Sequence, residues 1–298
     1  MKTALLLIKR NVKLFFKDKG MFFTALITPG ILLVLYATFL GNVYRDNFLS
    51  GLPAGLPVSE DLIDALVGGQ LASSILAVSC VTVAFCSNFL MVQDKVSGSG
   101  RDLHIAPVRP AVLSGGYYAA TLLSTLLICL AATALCLVYL AVIGWYLSAA
   151  DVLLMLLDVV LLVFFGTALS SVINFFLSTQ GQISAVGTVI SAGYGFICGA
   201  YMPISTFSEG LQTAVMLLPG TYGTALLRDH AMRGALSELQ EQGMPAEVID
   251  GLRDMLDCNL YFFDRAVGQG IMYLVLGASV AVLVGVYILL NALKKAER

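Results

Sequence analysis

The sequence predicts an all-α integral membrane protein: six transmembrane helices, an N-terminal interfacial amphipathic helix, and re-entrant or external helices between the fifth and sixth spans. Of its 298 residues, 58% are hydrophobic and 12% are charged, against the roughly 25% charged residues of soluble domains. The charges are separated by long charge-free runs, and most basic residues gather at one end of those runs. The apolar runs are continuous, which is typical of membrane helices and not of alternating barrel strands.

Residues 1–20 are predicted to form a helix on the cytoplasmic membrane surface. A simple positively charged flank of the first span is the alternative. The uncharged apolar stretch 4–8 is too short for the hydrophobic region of a cleavable signal peptide. Apolar residues recur at helical spacing opposite three lysines: Leu5, Ile8, Val12 and Phe15 face away from Lys9, Lys13 and Lys17.

About 20 apolar residues cross the hydrocarbon core, and a central charge is costly. The stretch between Asp151 and Glu209 is too long for one span, and polar residues at 178–182 divide it into two. An even number of spans places both termini on the same side. The predicted spans are 21–41, 67–91, 113–143, 151–177, 183–201 and 267–293.

The basic residues set the expected orientation. Most of the 17 lysines and arginines lie in segments 2–19, 95–109 and 294–298. Because cytoplasmic flanks carry the excess of basic residues, both termini are expected in the cytoplasm of a multi-pass protein of the inner or plasma membrane.

Residues 202–266 are expected on the outer side. The apolar stretch Leu211–Leu218 is too short to cross and is predicted to re-enter the membrane, covered by protein. A second short helix is predicted from about Thr221 to Met232. Residues 247–257 alternate apolar and charged side chains at helical spacing and predict an amphipathic external helix.

The sequence lacks the motifs of several enzyme classes. It contains neither a phosphate-binding G-x-x-x-x-G-K-[ST] loop nor an H-E-x-x-H zinc motif nor a G-x-S-x-G elbow. We therefore expect a non-catalytic chain with no catalytic, metal or cofactor site of its own. A net charge of −2 gives no basic field for nucleic acid. Five of the six cysteines lie in or beside the apolar spans and are interpreted as buried free thiols, whereas Cys258 lies in the external segment without an obvious partner.

Asp158 is an ionisable residue inside a predicted span, and such residues are functional candidates. It could lie in a pathway or at a subunit interface, or it could be a carboxyl group that bonds to a neighbouring helix. Near the outer end of the fifth span, Gly199 is interpreted first as a close-packing residue and second as part of a flexible gate.

Three segments resemble the ABC-2 type permease family, the six-span subunits that pair with a separate ATP-binding cassette protein. The first is Phe16-Lys17-Asp18-Lys19 followed by Pro29. The second runs from Asp94-Lys95-Val96-Ser97-Gly98 through Ala106-Pro107-Val108 to Leu113. The third is Gly199-Ala200-Tyr201-Met202-Pro203 with Leu218-Pro219. Asp94, where the family usually has Glu, and an insertion at about 234–264 depart from the pattern.

The resemblance implies an exporter with two permease subunits, homodimeric or heterodimeric, above two ATPases that bind ATP and Mg. It places coupling in the cytoplasmic segment 92–112, at Asp94, Gly98, Leu103, Ile105 and Pro107, where an apolar face could dock on the ATPase. Gly199 and Pro203, with Asp158, are the expected pathway or interface residues.

The scarcity of charges in the spans favours an amphipathic or lipid-like substrate. The alternatives are a secondary transporter or flippase without an ATPase, or a membrane scaffold that transports nothing.

Overall fold

The computed structural model describes residues 2–51, 58–99, 103, 108–263 and 265–296. Two of the expected coupling residues, Ile105 and Pro107, lie outside the described residues. Eleven α-helices are found in the described ranges: α1 Lys2–Lys17, α2 Lys19–Leu35, α3 Gly41–Gly51, α4 Glu60–Val96, α5 Pro110–Ile143, α6 Ala149–Phe176, α7 Gln180–Ile197, α8 Glu209–Met216, α9 Pro219–Glu241, α10 Ala246–Met255 and α11 Gln269–Ala296.

Short elements join some of these helices. A π-helical turn, Tyr36–Leu40, connects α2 to α3 without a break, and a 3-10 turn, Ile204–Thr206, follows α7. Strands β1 Tyr261–Phe262 and β2 Arg265–Ala266 pair antiparallel just before α11. The sequence therefore forms an almost entirely helical protein, as predicted.

Helix α4 is the central element of the fold. Nearly all of its side chains are buried, and it packs against α2, α5, α6, α7 and α9. Small residues permit these close approaches: a Cβ on Gly166 of α6 would lie 2.6 Å from the Cys80 carbonyl oxygen of α4. In lipid, where apolar burial between helices gains little, such backbone contact is a main source of helix association.

Five helical stretches in the described residues are long and apolar enough to cross a membrane: Lys19–Ser50, Glu60–Val96, Pro110–Ile143, Ala149–Phe176 and Gln269–Leu293. These confirm an all-α integral membrane protein, but not the number of six spans. The helix at the predicted fifth span, α7, has only 18 residues and includes Gln180 and Gln182, which lower its apolar character.

The packing of α7 nevertheless supports a sixth crossing. Gln180 at its start and Gln93 of α4 line one groove, whereas Tyr201, just after α7, packs in the cluster that contains Ile75 of α4. Gln93 and Ile75 are separated by 18 residues, or about 27 Å of helix. That distance is close to the ~30 Å hydrocarbon thickness.

The helices after α7 form a compact outer layer. Helix α8 leads to a turn at Leu217 and Leu218, and α9 then runs past α4 and α6. Gly220, at the start of α9, lies against Phe165 in the middle of α6. The turn between α8 and α9 therefore packs against the long helices. Helix α9 is about twice as long as the predicted helix from Thr221 to Met232.

The predicted insertion at 234–264 is packed into this layer as an integral part. Leu236, Leu239, Ile249 and Leu252 form one buried cluster with Leu62 and Leu66 of α4. This cluster explains why α4 extends seven residues before its predicted start at residue 67, because those extra turns provide the apolar seat for α9 and α10.

Candidate functional site

A lateral groove of about 660 Å³ lies between α2, α4 and α7. Its lining runs along α2 from Asp18, just before that helix, to Ile31, and includes Phe89 of α4. The wall formed by α7 is polar, because Gln180, Ser184, Thr188 and Ser191 follow one another at steps of three and four residues. That spacing places all four on one face of the helix.

This polar face is open in the single chain. Ser184 and Thr188 are exposed, while Ile183, which also lines the groove, is buried against the core. Polar faces of membrane helices ordinarily contact protein or water and not lipid. The groove is therefore suited either to a second protein chain or to an aqueous path.

Next to the end of the groove that Gln93 lines, a charged cluster joins three helices. The guanidinium of Arg10 on α1 donates to both carboxylate oxygens of Asp94 on α4, at 2.8 and 3.1 Å. The hydroxyl of Tyr117 on α5 donates to Asp94 at 2.5 Å. The hydrogen bond to Asp94 raises the pKa of Arg10 above its usual range. We call Arg10, Asp94 and Tyr117 the clamp.

Next to the clamp, Lys95 fixes the end of another helix. Its ammonium group donates to the carbonyl oxygens of Asn174, Phe175 and Leu177 at 2.9–3.1 Å. Those carbonyls belong to the last turn of α6 and its C-cap, where a cation is favourable. The adjacent residues Asp94 and Lys95 therefore tie α1, α5 and α6 to the end of α4.

The predicted coupling segment 92–112 belongs partly to helices. Residues 92–96 complete α4 and 110–112 begin α5, so the connection between them is residues 97–109. Gly98 has a φ of +82°, a conformation that favours glycine. Leu103 is half-buried against a cluster that includes Leu7 of α1 and Tyr117. The Leu103 side chain is therefore partly covered by α1 and α5, which leaves less of it free to contact a partner than the sequence suggested.

Asp158 is completely buried on α6 and bonds to two other elements. One carboxylate oxygen lies 2.5 Å from Nδ1 of His230 on α9, and the other accepts a 2.7 Å hydrogen bond from the hydroxyl of Tyr273 on α11. Of the alternatives for Asp158, the structure shows a carboxyl group bonded to neighbouring helices.

Gly199 and Pro203 lie in the turn that follows α7. The Gly199 carbonyl oxygen accepts a 2.7 Å hydrogen bond from Arg228 of α9, and its φ of +72° suits glycine. Pro203 immediately precedes the 3-10 turn, whose Ile204 amide donates to Asp257 at 2.7 Å. These two residues therefore position the outer layer, and they do not line the groove.

Arg228 is the main residue of this region that the sequence did not single out. Its side chain is 1% exposed and contacts Gly199, the Leu256 carbonyl and Asp257. Burial raises the pKa of Asp257, and the attraction of Arg228 opposes that rise. An arginine directly after Ala225-Leu226-Leu227 was a usable signal, because a charge that continues an apolar stretch needs partners when it is buried. His230, which contacts Asp158, was likewise not predicted to be a partner of that carboxyl group.

Comparison with known protein families gives one match over most of the chain. The family model described as ABC-2 type transporter matches residues 3–231. This range contains the groove, the clamp and the buried Asp158–His230 pair. A comparison with curated proteins finds no match.

Proposed function

Because the chain belongs to the ABC-2 type transporter family and is therefore a membrane-spanning permease subunit of an ABC-type system, we propose that it forms the translocation pathway of an ATP-driven exporter. In this proposal the ATPase is a separate protein that binds ATP and Mg, and this chain contributes no catalytic residue. The sequence supports that division, because it has no phosphate-binding loop.

The observation that carries the proposal is the open polar face of α7. Ser184, Thr188 and Ser191 occupy one wall of the groove, opposite apolar residues such as Ile27 and Ile31 of α2. A wall of hydroxyl groups beside an apolar wall suits a substrate with both polar and apolar parts. We therefore propose an amphipathic or lipid-like substrate.

A second permease subunit is proposed to cover this groove. In one chain alone, Ser184 and Thr188 would face hydrocarbon. The Thr188 hydroxyl donates to the Ser184 carbonyl oxygen at 2.9 Å, but a polar helix face in the membrane still favours contact with protein or water. A second copy or a related chain, facing the first across the two grooves, would enclose a path between them. Both homodimer and heterodimer satisfy this requirement.

The clamp supports a route for coupling. It joins α1 on the membrane surface to α4 and α5, the two helices on either side of connection 97–109. A partner that pushes on this connection would move α4 and α5 together with α1. We propose the connection as the ATPase contact, with Gly98, Ile105 and Pro107 in it and Asp94 fixing its base.

The buried state of Asp158 weakens the main alternative. An ion-coupled secondary transporter needs a carboxylate that the pathway can reach, whereas Asp158 is fully buried and bonded to His230 and Tyr273. An ATP-driven mechanism does not require an accessible carboxylate within the spans.

The first test is co-purification of the tagged chain from membranes that also contain an ABC-type ATPase encoded beside it. ATP hydrolysis by the purified complex is then measured with and without candidate amphipathic substrates. We expect a stable complex whose ATPase activity rises with substrate. Thr188→Leu should abolish the rise and retain the basal rate, whereas Val189→Leu, on the adjacent exposed surface, should behave as the native chain. A native chain that retains no ATPase, or a Thr188→Leu complex with unchanged stimulation, would refute the proposal.

A further inference from the structure

A second cavity lies on a different side of the α2–α4 pair and is independent of the groove. It is a cleft of about 430 Å³ between α2 with its π-helical turn, α4 and α5. Its lining is almost wholly apolar and includes Leu33, Leu71, Ile75 and Leu135. We call it the α5 cleft. Its walls belong to three of the stretches that are apolar enough to cross a membrane.

The π-helical turn forms part of the cleft. Tyr36 begins this turn, Gly41 follows it, and both line the cavity. A π-turn widens a helix by one residue at a local cost in hydrogen-bond geometry, and such turns are frequent at binding sites. At Gly41 a Cβ would lie 2.8 Å from the Tyr36 carbonyl oxygen, so a larger residue could not occupy this position without a shift.

Charged residues stand directly beyond one end of the cleft. Arg45 is one helical turn after Gly41, and Asp64 is one turn before Val67, which also lines the cleft. Arg45 pairs with Asp64 at 2.5 Å and also with Glu60. The exposed fraction of the side chain is 30% for Arg45, 49% for Asp64 and 78% for Glu60. An apolar cleft in the spans thus ends in one cation and two carboxylates at the surface.

We propose that the α5 cleft binds one acyl chain of a zwitterionic phospholipid from the leaflet at the Arg45 end, with its headgroup on Arg45, Asp64 and Glu60. The phosphate would replace one carboxylate on Arg45, and the released carboxylate would accept from the lipid ammonium group. Guanidinium–phosphate and ammonium–carboxylate hydrogen bonds are both charge-assisted, and such bonds are stronger than those between neutral groups. The proposal requires only that the chain spans a membrane, and it is separate from the export pathway.

Charge complementarity selects this lipid class over others. The three side chains carry a net charge of −1, so an anionic headgroup would be repelled by the excess carboxylate, whereas a phosphate and an ammonium in one headgroup match both signs. A lipid without a headgroup would leave the Arg45 cluster unused. Phosphatidylethanolamine, whose ammonium retains three N–H donors, is the matching probe.

The experiment is native mass spectrometry of the purified protein after addition of dioleoyl phosphatidylethanolamine, dioleoyl phosphatidylglycerol or dioleoylglycerol. We expect a retained phosphatidylethanolamine adduct in the native chain, at least about fivefold more abundant than the other two. Ala132→Phe, which fills the cleft, should remove that preference. Ala281→Phe, on an exposed face of α11 away from the cleft, is the matched control and should keep it.

The headgroup contacts are tested by Arg45→Gln, at a partly exposed position, and Asp64→Asn, at an exposed one, with the exposed Asp46→Asn as the control. We expect the first two to lower phosphatidylethanolamine retention toward the level of dioleoylglycerol, with unchanged thermal melting. Equal retention in Ala132→Phe and Ala281→Phe would overturn the cleft as the site. Retention of phosphatidylglycerol or dioleoylglycerol equal to that of phosphatidylethanolamine would overturn the headgroup assignment.

Discussion

At the scale of single residues, buried charges in this protein connect elements that are distant in sequence. Asp158 bonds to His230 and Tyr273, 72 and 115 residues away. Arg228 joins the turn after α7 to the end of α10. A buried charge with satisfied hydrogen bonds is tolerated, but removal of one partner leaves the others unpaired. Such residues therefore specify how the outer layer sits on the spans.

We predict that Asp158→Leu lowers the thermal melting temperature by several degrees, corresponding to roughly 1–3 kcal/mol, because His230 and the Tyr273 hydroxyl lose their shared partner inside the protein. Asp158→Asn should have a smaller effect, since the amide still offers an acceptor and a donor. Melting of the purified variants measures this, with the exposed Asp46→Asn as the control. If Asp158→Leu melted at the native temperature, the bonded arrangement of the three side chains would be wrong.

At the scale of elements, the clamp decides whether the surface helix α1 moves with the spans. Helix α1 packs on α5 through Leu7, which contacts Gly116, and the clamp adds a bidentate ion pair to that contact. A bidentate arginine–carboxylate pair fixes orientation as well as distance, which a lysine cannot reproduce.

Arg10→Met should detach α1 from α4 and leave Asp94 buried without its cation. We expect trypsin to cut at Lys13 and Lys17 several times faster in this variant, with Arg10→Lys between it and the native chain. The neighbouring Lys9 is exposed, so Lys9→Met provides a matched charge control. Digestion of native-membrane vesicles, followed by mass spectrometry, gives the rates. Equal rates for Arg10→Met and Lys9→Met would show that the clamp does not hold α1.

At the scale of the whole molecule, the number of crossings depends on α7. It has 18 residues and begins with the polar Gln180 and Gln182, so it is less apolar than the other five stretches, yet its two ends meet α4 at positions about one membrane thickness apart. If α7 crosses, the predicted count of six and the location of both termini on one side of the membrane follow together.

We predict that a cysteine at Ser208 is labelled by a membrane-impermeant maleimide in intact cells, whereas one at Ser178 is labelled only after permeabilisation. Both serines are exposed. The native Cys258 should stay unlabelled, because burial raises its pKa to about 12 and leaves almost no thiolate at pH 8. An engineered cysteine at position 2 should behave like the one at Ser178. Labelling of both 178 and 208 from outside would mean that α7 does not cross.

The sequence by itself determined the fold class, an amphipathic first helix and the family. Each depends on a local pattern: charge-free runs of about 20 residues, apolar residues opposite lysines, and short motifs around Asp94, Gly199 and Leu218. Lipid imposes the same requirement on every spanning segment, namely satisfied backbone hydrogen bonds within a helix and an apolar surface, so these patterns can be read along the chain.

The tertiary structure alone decided which residues meet. Whether Asp158 faces a pathway or a neighbouring helix depends on His230 and Tyr273, and nothing in their spacing along the chain brings the three together. The polar face of α7 became a groove wall only because α2 and α4 stand opposite it, and segment 234–264 became part of the core only because α4 extends to meet it. Pairings between distant helices are set by the packing of small and large side chains over the whole bundle, which no local pattern contains.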